Sequence, residues 1–146
     1  MAAIKRILTA VDFSEAAQTA ARQAEELARA LGAELLVLHV LNEPAFVPVE
    51  DSGYGPPAIT DEYESALGAK LAGIAEALAS EGVKVWPKLA RGAPHDAIVS
   101  TAVSEHVDLI IMGTHGRTGV SHLLLGSVAE RVVRLSQVPV MTIRTP

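Results

Sequence analysis

Apolar and polar positions alternate along this chain in blocks of two kinds, short continuous apolar runs and longer stretches with helical spacing. Ile4 to Val11 is a short apolar run that predicts a strand, and Asp12-Phe13-Ser14 follows as a turn in which Ser14 can cap a helix. From there Ala17, Ala20, Ala21, Ala24, Leu27, Ala28 and Leu31 recur with the period of an amphipathic helix, and Gly32 suits its C-terminal stop. Glu34 to Leu41 (ELLVLHVL) is nearly continuous apolar, as a strand covered on both faces should be. Residues 43–59 carry Pro44, Pro48, Pro56 and Pro57 with few periodic apolar positions, which reads as a long surface loop.

Thr60 or Asp61 can cap a second helix with Tyr63, Leu67, Leu71, Ile74 and Leu78 on its buried side and Gly82 at its end. Asp61, Glu62 and Glu64 are its favourable acidic start. Val83 to Ala90 reads as a strand, and Pro87 demotes it to a sheet edge. Pro94 suits the first position of a third helix running to about Glu105. Asp108 to Met112 is a compact apolar strand, Ser127 to Leu135 a last helix, and Val138 to Ile143 a last strand. Five strands alternating with four helices predict an open α/β fold, a parallel sheet with helices on both faces. No repeat or linker divides the chain, so residues 1–146 are expected to form one domain.

Composition narrows the function. The 146 residues are 49% hydrophobic and 20% charged, with a net charge of −5 and 3% aromatics. An acidic chain with so few aromatic rings is poorly suited to phosphate backbones and base stacking, so nucleic acid is not an expected partner. The absence of cysteine excludes disulfides, thiolate nucleophiles and cysteine-ligated zinc. No apolar run approaches the ~20 residues that span a bilayer, and no signal-type core follows Met1 to Arg6, so a cytoplasmic protein without a membrane partner is expected.

In an open α/β sheet, ligands bind beyond the carboxyl ends of the strands, where the strand order reverses. Two segments have the right position: Ala10-Val11-Asp12 after the first strand, and Gly113 to Ser127 (GTHGRTGVSHLLLGS) after the fourth. Glycines allow backbone N–H groups to approach an anion, and the second segment ends at a helix N-terminus where Gly126, Ser127 and Val128 can present amides. Arg117 adds a cation and Ser127 a hydroxyl. A glycine-rich turn that merely links strand to helix is the competing reading. Neither G-x-G-x-x-G after the first strand nor G-x-x-x-x-G-K-[ST] anywhere is present. His39 within an apolar strand reads as a core or site-rim histidine. His95, His106, His115 and His122 have no metal-binding spacing; His115 and His122 both fall within the glycine-rich segment, and His115 is read as able to meet phosphate.

Gly113-x-x-Gly116, nine residues, then Gly126-Ser127 follows the pattern G-x2-G-x9-G-[ST]. It resembles the ATP-binding signature of the universal stress protein family. The likeness extends over essentially the whole chain, with ILTAVDFSE, LLVLHV, RGAPHDAIV, HVDLIIMGTHGR and QVPVMTIR as its further parts in order. The resemblance implies a Rossmann-like sheet of order 3-2-1-4-5, of the adenine nucleotide alpha-hydrolase-like kind. It implies ATP as ligand, with ADP or AMP as alternatives and Mg²⁺ held through the phosphates. It places Asp12 near the ribose or phosphates, with Ala10 and Val11 beside it among the cofactor-binding residues, and the Val40 backbone against adenine. Met112 and Gly113 would line the nucleoside, and Gly116, Arg117, Gly126, Ser127 and Val128 the phosphate side, where His115 by its place in the loop can also make contact. It also points to a homodimer formed through the edge strand Val138–Ile143. The function expected is a stress-response module without fast catalysis, at most a slow hydrolase of ATP. A slow ATPase or adenylyl-transferring enzyme on the same fold, and a nucleotide-free dimeric interaction module, are the alternatives.

Overall fold

The computed structural model describes residues 2–42, 59–79, 82–115 and 125–145. The long loop expected over 43–59 lies almost wholly outside these residues. The elements run β1 (Arg6–Ala10), α1 (Glu15–Leu31), β2 (Glu34–Leu41), α2 (Asp61–Leu78), β3 (Val85–Arg91), α3 (Pro94–Ser104), β4 (Leu109–Gly113), α4 (Ser127–Leu135) and β5 (Val140–Ile143). All four strand pairs are parallel, and the sheet order is β3-β2-β1-β4-β5. The sequence-based expectation of an α/β fold with this order is therefore met, and β3 with its Pro87 lies at an edge.

Successive residues of a strand point to opposite faces, so a strand covered on both sides needs apolar residues at every position. Ile7 and Leu8, Leu35 and Leu36, and Ile110 and Ile111 meet this condition, each buried to within 1%. Ile7, Leu35, Val37 and Ile111 pack with Ala17, Ala21, Ala24 and Ala28 of α1 and Leu71 of α2. Leu8, Leu36, Leu38 and Ile110 pack on the other face with Ile98 and Ala102 of α3 and Ala129 and Val132 of α4. The alanine stripe brings the axis of α1 close to the strands it covers.

Local chemistry accounts for the helix ends. Ser14 caps α1 by accepting from Ala17 N, and Gly32 ends it in the left-handed conformation (φ 66°). Thr60, not Asp61, caps α2, and Pro94 opens α3. Several expectations need correction. Tyr63 is 53% exposed rather than buried, because it lies in the first turn of α2, and Leu31 is 48% exposed in the last turn of α1. The final residue of α2 is Leu78, with Ala79 as its cap, so Gly82 belongs to the turn beyond. Strands β1, β3 and β5 begin two residues later than the apolar runs suggest, and β4 begins one later and includes Gly113.

Charges gather at the amino ends of the strands. Glu34 pairs with Arg6 and Lys84, and Lys88 with Glu105. The Arg6 guanidinium, then Lys84, hold the Glu34 carboxyl below its usual range, and Lys88 does the same for Glu105. Arg6 and Lys84 also face the Trp86 ring at 5.2 and 5.7 Å. With this end committed to ion pairs, the opposite edge of the sheet is where chemistry can be placed.

Candidate functional site

At the carboxyl edge, β1 leaves the sheet through Val11, whose N–H donates to Leu38 O at 2.8 Å. Val11 O lies 2.7 Å from His39 Nδ1. A carbonyl can only accept, so Nδ1 carries the proton and His39 is a satisfied core histidine, as expected. Asp12 then accepts from Ser14 N at 3.0 Å, the turn that opens α1. Phe13 between them has φ 66°, a left-handed conformation costing a bulky residue about 1–3 kcal/mol. Its ring meets His39 at 4.4 Å between centroids, and Lys70 Nζ lies 4.4 Å from the ring. These contacts hold the Asp12 turn against β2 and α2.

The neighbouring strand β4 ends at Met112 and Gly113, and the chain continues to Thr114 and His115. A Cβ on Gly113 would stand 3.3 Å from Ala16 O, so glycine lets the end of β4 close on the first turn of α1. Thr114 N donates to Ile143 O at 3.0 Å, extending the contact with β5. Gly126 N in turn donates to Thr114 O at 2.6 Å, and a Cβ on Gly126 would come within 2.8 Å of that same oxygen. Only glycine allows this approach without a backbone shift, and the approach docks α4 on the end of β4. Gly126 is the N-cap residue of α4 and provides no side-chain cap to the amides behind it. A helix start leaves N–H groups without intrahelical partners and carries the positive end of the helix dipole.

Val40, Ala10, Val11, Asp12, Met112, Gly113, His115, Gly126, Ser127 and Val128 thus lie along one edge, on β2, β1, β4 and the start of α4. This edge includes the point where the strand order reverses. Gly116 and Arg117 lie outside the described residues. Gly113 and Gly126 of the glycine pattern also have a packing role, since each permits a close backbone contact. Among the described residues no group of three or more His, Asp or Glu could hold a metal ion.

Beside the start of α4 lies a cleft of about 310 Å³, lined by Thr114, His115, Leu125, Thr142 and Arg144. His115 Nδ1 is 3.0 Å from Thr114 Oγ1, and its buried Nε2 has no hydrogen-bond partner among the described residues. Of this lining, the sequence reading anticipated only His115. The signal for Thr142 and Arg144 was present, since β5 is parallel and its carboxyl end must lie on the ligand edge.

An open, doubly wound α/β protein in which Gly113 and Gly126 permit close backbone contacts at the carboxyl edge of the sheet is the class this geometry defines. The sequence profile of the universal stress protein family matches residues 3–144, and the chain belongs to that family. It is similar to universal stress protein MJ0577 of Methanocaldococcus jannaschii, 33% identical with 96% of this chain and 94% of the relative covered. A solved structure of MJ0577 overlays with a TM-score of 0.75 at 34% identity, covering 99% of both chains. A Thermus aquaticus universal stress protein is 39% identical, with 96% and 98% covered. The Archaeoglobus fulgidus universal stress protein solved in complex with dAMP is 25% identical, with a TM-score of 0.70 and 98% and 99% covered.

Proposed function

We propose that this chain is a cytoplasmic, one-domain module that binds an adenine nucleotide, ATP above ADP or AMP, and performs no fast catalysis. The observation that carries the reading is the start of α4, without a side-chain cap, held by the Gly126–Thr114 contact at the edge where Asp12 also lies. The dAMP carried by the Archaeoglobus fulgidus relative supports adenine as the base. In this reading Ala10, Val11 and Asp12 face the ribose, the Val40 backbone meets adenine, and Met112 and Gly113 line the nucleoside. Ser127 and Val128 amides, with His115, Gly116, Arg117 and Gly126, face the phosphates. The donors are N–H groups, a hydroxyl and a guanidinium, a set suited to phosphate oxygens. Mg²⁺, when bound, neutralises phosphate charge and is held chiefly by the phosphates themselves. Protein purified rapidly from cells and then denatured should release an adenine nucleotide identifiable by mass. Release of a guanine nucleotide instead would overturn the assignment of the base.

The same reading makes the protein a homodimer. β5 is the last strand of the sheet, pairs with β4 on one side, and exposes 42% of Met141. An edge of this kind invites a second, antiparallel copy related by a two-fold axis. Light scattering at micromolar concentration should give twice the chain mass; a single-chain mass would exclude the dimer. A nucleotide-free dimeric module gains some support from the packing roles of Gly113 and Gly126, and it predicts no response to any nucleotide.

A further inference from the structure

The cleft at the ends of β4 and β5 holds, besides His115, groups that the nucleotide reading does not use. Thr142 shares the face of β5 that carries Val140 into the α3/α4 core, so the cleft opens on the side of the sheet where α4 begins. Thr114, His115, Thr142 and Arg144 can all donate hydrogen bonds, and no carboxylate is among the described residues that line the cavity. Arg144 makes no hydrogen bond or ion pair with another described residue. When the Thr114 hydroxyl donates to His115 Nδ1, the proton of the ring sits on Nε2, the buried nitrogen without a partner. A permanent guanidinium and an imidazole lining one cleft, with no acidic side chain among its described lining residues, suit an oxyanion.

We propose that this cleft is a phosphoryl pocket in which Arg144 and His115 hold the distal phosphate of a nucleoside polyphosphate. The inference rests on the nucleotide reading for its nucleoside end and adds the group that distinguishes chain lengths. β5 stands two strand spacings from β1, roughly 10 Å. A nucleoside seated by Asp12 therefore needs an extended phosphate chain to reach Arg144, and a monophosphate falls short. Arg144 is then a specificity residue for triphosphate over monophosphate, acting at the opposite end of the ligand from the base.

Calorimetric titration of the parent and Arg144→Gln with adenosine, AMP, ATP and inorganic tripolyphosphate tests this. Arg144 is exposed, so the variant should melt with the parent and keep its mass by light scattering. Arg144→Gln should weaken ATP and tripolyphosphate about tenfold while leaving adenosine and AMP unchanged. His115→Gln should weaken ATP in the same selective way. ATP binding unaltered by Arg144→Gln, or a loss shared equally by adenosine, overturns the proposal. Should the parent bind tripolyphosphate in an Arg144-dependent way but no adenosine, AMP or ATP, the phosphoryl pocket stands and the nucleotide reading falls. Should it bind none of the four, both fall.

Discussion

Gly126→Ala is expected to destabilise the protein, and Gly126→Asp to lose ATP as well. The alanine variant isolates the steric part. Its Cβ would stand 2.8 Å from Thr114 O, a backbone atom that cannot swing aside, so α4 or the end of β4 must move. Overpacking of this kind costs about 1–3 kcal/mol, which lowers the melting temperature of a domain this size by several degrees. The aspartate variant carries the same clash but adds a carboxylate at the N-cap position. There it can accept from the first-turn amides of α4 and recover part of the stability lost. Those amides are the ones assigned to phosphate, so the carboxylate competes with the ligand and repels it. ATP affinity should fall at least tenfold, about 1.4 kcal/mol, beyond whatever the alanine variant loses. Both variants melting with the parent would contradict the close contact. A folded aspartate variant that binds ATP as tightly as the parent would remove the start of α4 from the phosphate site.

The contrast between these two variants became available only from the structure, and the reason is physical. Much of the fold could be read along the chain because its signals are local. ELLVLHVL announces a strand buried on both faces, Ser14 and Thr60 stand where caps belong, and Pro87 marks an edge. Errors concentrated at element ends, where Tyr63 and Leu31 continue an apolar pattern past the reach of the core. The glycine signature was legible as composition but not as contact. Gly126 meets Thr114 twelve positions away, and Gly113 meets Ala16 across the sheet edge, encounters that no spacing rule reveals. The Arg144 cleft is assembled from three separate segments, and only the strand order brings them together. Phe13 shows the same limit, since nothing in Asp12-Phe13-Ser14 signals a left-handed phenylalanine.

Ligand-dependent melting tests the central claim, adenine-nucleotide binding at this edge, most directly. A ligand that binds only the folded state stabilises by mass action, and at about one hundred times its Kd the gain is about 2.7 kcal/mol. For a domain of this size that corresponds to a rise in Tm of roughly 5–10 °C. The nucleotide reading expects ATP to give this rise and GTP a smaller one, because the Val40 backbone is assigned to the adenine edge. Inorganic tripolyphosphate should fall below ATP, since it engages only the start of α4 and the Arg144 cleft and leaves the Asp12 side empty. A large rise with ATP, exceeding those with GTP and tripolyphosphate at matched concentration and salt, is the predicted result; equal rises with all three, or none with any, would contradict it.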